Sequence, residues 1–326
     1  MLSLAADKMH IFQTVAQSVA ALLGIGILGF WIIKRRIIPE NVLGFLSTLA
    51  IDIALPCVVF ASIVLNFSPS TFPDWWQLPP WWFAFAFVTL LLTFLASFIS
   101  QKGTRSEFAI TLFFQNAIFF PLIVINGIFG KETPLIAQLF IFIILHPSLY
   151  FATYHLFFRQ RAGEARPQLN LRRIVNPVLV ATLVAMIVSL LGIQDNLPEF
   201  VMSIFQMLGA MTLPLLMIIL GGSLYLDFQQ KGHIYIGEII KFVLIKNFAF
   251  PLVFLGLLLL IRPDYNLALM IILQSAVPPI TAIPVATERE GGNRAITSQF
   301  ILASFVISII SIPMVFNLFS RFFPMP

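Results

Sequence analysis

The chain has 326 residues, 59% hydrophobic and only 10% charged, with a mean hydropathy of +0.97. Soluble domains carry about a quarter charged residues, so composition excludes a soluble enzyme or binding module. One cysteine and four histidines, with no HxxxH or HxH pair, exclude a disulfide framework and argue against a metal cluster.

A helix needs roughly 20 apolar residues to cross the hydrocarbon core. In chain order such stretches fall at 10–33, 42–66, 81–100, 108–129 and 135–158, then at 174–193, 199–225, 236–261, 267–287 and 295–320. The first lacks a basic segment before it and reads as a retained helix, not a cleaved signal. The expected architecture is an all-α integral membrane protein with ten transmembrane helices. Lys34, Arg35 and Arg36 follow the first span, and Lys102 and Arg105 the third. Arg159, Arg161, Arg166, Arg172 and Arg173 lie between the fifth and sixth. Lys231 and Lys241 flank the seventh turn, and Arg289 and Arg294 the ninth. The opposite side holds only Lys8, Lys131, Arg262 and Arg321. The net charge of +5 therefore reports topology and not nucleic-acid binding. The positive-inside rule puts the basic loops in the cytoplasm and both termini on the extracytoplasmic side of the cell membrane. Trp75, Trp76, Trp81 and Trp82 cluster at an outer boundary as an aromatic belt would.

Ten spans divide into five and five, over residues 1–158 and 174–326, joined by a basic cytoplasmic loop at 159–173. An odd number of crossings makes the second set enter inverted. Leu55-Pro56 and Leu213-Pro214 recur at an offset of 158, as do Pro121 and Pro279. Proline removes a backbone donor, and freed backbone groups in lipid need a protein, water or substrate partner. The fourth span carries Gln115, Asn116 and Pro121, and the ninth Gln274, Ser275, Pro278, Pro279 and Pro284. Paired broken helices at matching repeat positions point to a transporter site near the midplane. All of these except Pro284 are candidate substrate-binding residues.

Lys246, in the eighth span, is a cation suited to an anionic solute, or else a partner of Asp52 or a snorkelling side chain. Asp52 in span two is a coupling candidate, read equally well as a structural ion pair or a residue in a wet vestibule. His146, ahead of Pro147, could titrate or could be a hydrogen-bonded packing residue. Glu107 and Glu238 read as interfacial, and Gly24, Gly26, Gly29, Gly221 and Gly222 as close-packing positions.

Residues 24–60, GIGILGFWIIKRRIIPENVLGFLSTLAIDIALPCVVF, resemble the N-terminal region of the auxin efflux carrier family. TLPLLMIILGGSL at 212–224 is similar to its seventh helix, and AVPPITAIPVATE at 276–288 to its broken ninth. The resemblance implies two inverted five-helix repeats with broken, crossing helices 4 and 9. It implies a scaffold of helices 1, 2, 6 and 7 beside a moving body of helices 3–5 and 8–10, and elevator-type transport of organic acids. Malate- or malonate-like carboxylates are the expected solutes for the short-loop form, and auxin for the plant form. The segment NAIFFPLIVINGIFG at 116–130 departs from the family pattern, with Pro121 where glycine is usual and Ile123 where proline is usual. A displaced crossover is the expected consequence. The expected partners are a small organic anion, the lipid bilayer and a proton as candidate coupling ion, with a homodimer as the candidate assembly and no cofactor, metal or nucleic acid. The alternative is a sodium-coupled carrier of the bile-acid type, which would need oxygen ligands for the ion. No HExxH or paired Asp-rich motif for a membrane enzyme is present, nor a repeated channel filter.

Overall fold

The computed structural model describes residues 2–70, 72–130, 133–158, 175–229 and 233–325. The basic loop at 159–173 lies outside the described residues, as do Lys131 and Lys231. Twelve helices are described. They are α1 (Leu2–Lys34), α2 (Val42–Asn66), α3 (Trp75–Ser97), α4 (Arg105–Phe113), α5 (Phe119–Phe129), α6 (Pro134–Phe157), α7 (Pro177–Leu190), α8 (Glu199–Leu226), α9 (Ile236–Ile261), α10 (Tyr265–Ala276), α11 (Ile283–Arg289) and α12 (Arg294–Phe322). Six of them, α2, α3, α6, α8, α9 and α12, are long and apolar enough to cross a membrane. The end of α1 and all of α5, α7 and α10 are shorter apolar helices.

Local sequence explains where the helices begin. Thr133, Asn176, Asp264 and Asn293 each accept a backbone N–H from two or three residues on, capping first-turn donors that apolar surroundings would otherwise orphan. Pro134 and Pro177 follow two of these caps at the first helical position, where a missing N–H costs nothing. Helix α3 is apolar on its exposed side as well, as a lipid setting requires: Phe83, Phe87, Leu90, Phe94 and Leu95 are all exposed. Trp76 is exposed beside them, but Trp82 is buried in the helix packing and departs from the expected belt.

Two long helices contain a widened π turn, Leu49–Ala54 in α2 and Leu244–Ala249 in α9. Each runs directly into a proline step, Leu55-Pro56 and Phe250-Pro251. A proline ring cannot donate to the carbonyl one turn back and crowds it, and the extra residue in a π turn relieves both problems. Two of the three ionisable residues read as intramembrane, Asp52 and Lys246, lie in these two turns.

Helices α1 and α8 pack backbone to backbone. A Cβ on Gly221 would overlap the carbonyl oxygen of Gly26, and one on Gly29 would overlap that of Ile218. Helix α2 packs on α7 and on α8, where a Cβ on Gly209 would come within 2.8 Å of the Val58 backbone. Around α4, α9 and α12, Phe108, Phe242 and Phe300 form a buried aromatic cluster.

Glu107 and Glu238 are not the interfacial residues expected from sequence. Both are buried, and they join helices distant in the chain. Glu107 accepts the Asn293 N–H at 2.8 Å, pinning α4 to the start of α12. Glu238 accepts the Ser100 hydroxyl at 2.7 Å and the Gln101 N–H at 3.3 Å while pairing with Lys241 at 2.7 Å. A span end need not be wet when hairpins fold over it.

Candidate functional site: two broken helices that meet

The span expected at 108–129 is two helices, α4 and α5, separated by residues 114–118. That expected at 267–287 is likewise α10 and α11, separated by 277–282. Phe114 and Val277 turn extended where α4 and α10 stop. The two breaks then lie against each other. Gln115 and Pro279 form an isolated antiparallel bridge, in which the Asn116 N–H donates to the Pro278 carbonyl at 2.8 Å and the Ile280 N–H to the Phe114 carbonyl at 3.0 Å. Pro279 occupies the position of the pair that contributes no N–H, so its ring costs no hydrogen bond. Each break supplies what the other lacks.

Side chains complete the junction. The Gln274 amide donates to the Ala117 carbonyl at 2.8 Å, and the Gln115 amide reaches the Gln274 side-chain oxygen at 3.5 Å. Asn116 Oδ1 accepts the Phe119 N–H at 3.2 Å, capping α5, while its Nδ2 is buried without a partner. Ser275 Oγ donates to the Ile272 carbonyl at 2.7 Å, one turn back on its own helix. Gln115, Asn116, Gln274 and Ser275 are all at most 3% exposed. The sequence-derived set therefore converges, except at Pro121. Gln115, not Pro121, stands opposite Pro279, so the 158-residue offset does not carry through this helix. Pro121 is the third residue of α5, where its missing N–H is one of the donors any helix start leaves free. It helps begin a helix and does not break one.

Lys246 is 1% exposed, with its amine 5.5 Å from the centre of the Phe250 ring. Its π turn packs on α10 and α12. The alternative reading of Lys246 as a partner of Asp52 does not hold, because no such pair forms and Asp52 lies on an exposed side of α2. No carboxylate pairs with Lys246 among the described residues. His146 is buried, its ring edge-on to Trp82, against the Gln115 backbone carbonyl and within electrostatic reach of Lys246. His146 thus borders the junction, Lys246 lies within electrostatic reach of His146, and Asp52 is on an exposed side of α2.

Sequence reasoning missed a second set of polar residues. A cavity of about 650 Å³ opens between α2 and α8 on one side and α5 and α6 on the other, lined by Ser62, Asn66, Asn126, Gln206 and Thr212 among apolar neighbours. Asn126 Oδ1 and Thr212 Oγ1 are buried without partners. Isolated polar side chains in apolar spans were the available signal. Asn247 was named only as the neighbour of Lys246. It donates to the Ser304 carbonyl and the Ser311 hydroxyl and accepts from Ser304 Oγ, tying α9 to α12.

Apolar helices interrupted at a buried, cross-bonded polar junction define an integral membrane protein organised around an internal site, the class to which transporters belong. A family profile described as membrane transport protein matches residues 14–316, and the chain belongs to this family, that of the auxin efflux carriers. No curated protein matches it.

Proposed function

We propose that this transporter is a secondary carrier of small organic anions, with carboxylates of the malate or malonate kind as its solutes in preference to auxin. The observation that carries the reading is the unpartnered amide of Asn116 at the meeting of two broken helices. A buried amide nitrogen without an acceptor is costly, and a carboxylate oxygen is the acceptor it best suits. The start of α5 directs partial positive charge to the same place, and Lys246 adds an amine that no acid among the described residues pairs with.

In this reading α4 with α5 and α10 with α11 each make one interrupted crossing. With the other eight helices they give ten crossings in two inverted repeats of five. Helices α1, α2, α7 and α8 form the static body. The rest move as an elevator, carrying the junction past the cavity between α2, α8, α5 and α6. The protein then sits in the cytoplasmic membrane with both termini outside.

Thermal stabilisation of the purified protein by a panel of mono- and dicarboxylates tests the proposal. A rise in melting temperature of several degrees at saturating anion is expected for the wild type and none for Asn116→Ala. If no organic anion stabilises the wild type, the reading is wrong. Uptake into proteoliposomes that strictly requires a sodium gradient would replace it with the bile-acid type of carrier.

A further inference from the structure

Of the three ionisable side chains read from sequence as lying in the membrane, Lys246 is placed unlike the other two. Asp52 is exposed on α2, away from the junction. His146 is wedged between Trp82 and the Gln115 carbonyl. The Lys246 amine is enclosed in a π turn beside the Phe250 ring, with neither a carboxylate nor a hydrogen-bond acceptor among the described residues. The charged groups facing it are few. Helix α9 carries Glu238 and Lys241 in its first turns, where they pair with each other. Helix α10 carries only Tyr265, at its far end, and α12 only Arg294 and Arg321, near its two ends. From α6 comes His146. None is an anion that could hold an ammonium in the empty site.

An ammonium ion buried without a counter-charge is among the costliest arrangements a membrane protein can hold, whereas a neutral amine in the same place is not. An organic anion at the junction would reverse that balance by supplying the missing counter-charge.

We propose that Lys246 is the proton-carrying residue of this transporter: its amine takes a proton from water when an organic anion binds at the junction and returns it when the anion leaves. The step is R–NH2 + H+ + A− giving R–NH3+·A− for a monocarboxylate and R–NH2 + H+ + A2− giving R–NH3+·A2− for malonate, so no bond of the solute changes and the site carries one negative charge fewer than the anion it holds. This rests on the organic-anion reading above and adds its coupling ion. The mobile body then crosses carrying one anion and one proton, or empty and neutral, and net anion flux follows the proton gradient.

The test is calorimetric titration of the purified full chain with malonate, in two buffers of different ionisation enthalpy, between pH 6 and 9. Wild type is expected to take up close to one proton per malonate at the alkaline end, with affinity falling up to tenfold per pH unit there. Lys246→Arg, which is always charged, is expected to bind malonate with no proton uptake and flat affinity across this range. Should arginine not fit, Lys246→Met replaces the amine with an unbranched apolar chain. It is expected to bind at least tenfold more weakly and take up no proton. His146→Gln is expected to retain the wild-type uptake. Malonate binding to wild type without proton uptake would overturn the coupling role and leave the organic-anion reading standing. Uptake that persists in Lys246→Met, or vanishes in His146→Gln, would assign the proton elsewhere. Failure of every carboxylate to bind would remove both proposals together.

Discussion

Asn116 performs two tasks with two atoms of one side chain. Its oxygen caps α5 through the Phe119 N–H, and its nitrogen is left unpartnered. The tasks separate in Asn116→Ser. A serine hydroxyl accepts the same N–H, no charge is introduced, and the amide donor disappears. The expected cost to the empty protein is below about 1 kcal/mol, whereas stabilisation by malonate is lost. If malonate stabilises the serine variant as well as it does wild type, the amide is only structural. The type of residue here was legible from sequence, because an asparagine in an apolar span has to be used for something. Its partner was not. Matching prolines at one offset paired Pro121 with Pro279, yet a proline acts differently in the first turn of a helix than in the middle of one. Only the position of the helix start decides which case applies. Asp52 taught the complementary lesson. Sequence gives depth along a helix, while the face a residue presents depends on the neighbours, and here α2 turns Asp52 outward.

Among the elements, the least compressible contact is that between α1 and α8. Gly29 against Ile218 and Gly221 against the Gly26 carbonyl approach so closely that neither glycine has room for a side chain. Without a hydrophobic force between helices in lipid, such close backbone approach carries the packing. Gly221→Ala adds one methyl group that would overlap the Gly26 carbonyl, so the helices have to separate along their length. A loss of roughly 3 kcal/mol or more is expected, in the upper range for core overpacking. It should read out as a lower melting temperature and poor yield of folded protein. Gly24→Ala serves as the control, because a Cβ there would meet nothing within 4 Å, and it should melt close to wild type. Sequence announced these glycines as packing residues but could not rank them, since the difference between Gly24 and Gly221 is set wholly by what the other helix places there. The acidic residues at span ends show the same limit. Glu107 and Glu238 look solvated one helix at a time, and become buried ties only when hairpins from distant parts of the chain converge.

At the scale of the whole molecule, hydropathy located the six long apolar helices but could not see inside the stretches that are broken. The stretches 108–129 and 267–287 are continuous in composition, yet each contains a turn of extended backbone. The residues at 114–118 and 277–282 are apolar enough on average to hide a break that only its partner stabilises. These breaks account for two of the four expected spans that are not long uninterrupted helices among the described residues; the other two are the end of α1 and α7, which are shorter apolar helices. Charge supplies what length does not. Lys34, Arg35 and Arg36 end α1, Lys102 and Arg105 stand between α3 and α4, and Arg289 and Arg294 flank the turn from α11 to α12. The second and third of these turns lie on one side when both broken pairs, α4 with α5 and α10 with α11, cross once. If one pair alone turned back at its break, the basic turns on the two sides of it would fall on opposite faces of the membrane. Fusions at the C-terminus test that parity. With ten crossings and the basic turns inside, alkaline phosphatase fused after residue 326 is exported and active, whereas green fluorescent protein at the same point stays dark. A fluorescent, phosphatase-negative C-terminus would put the end of the chain on the same side as the first basic turn. The crossings after that turn would then be even in number, and the inverted-repeat reading of the two breaks would fall with it.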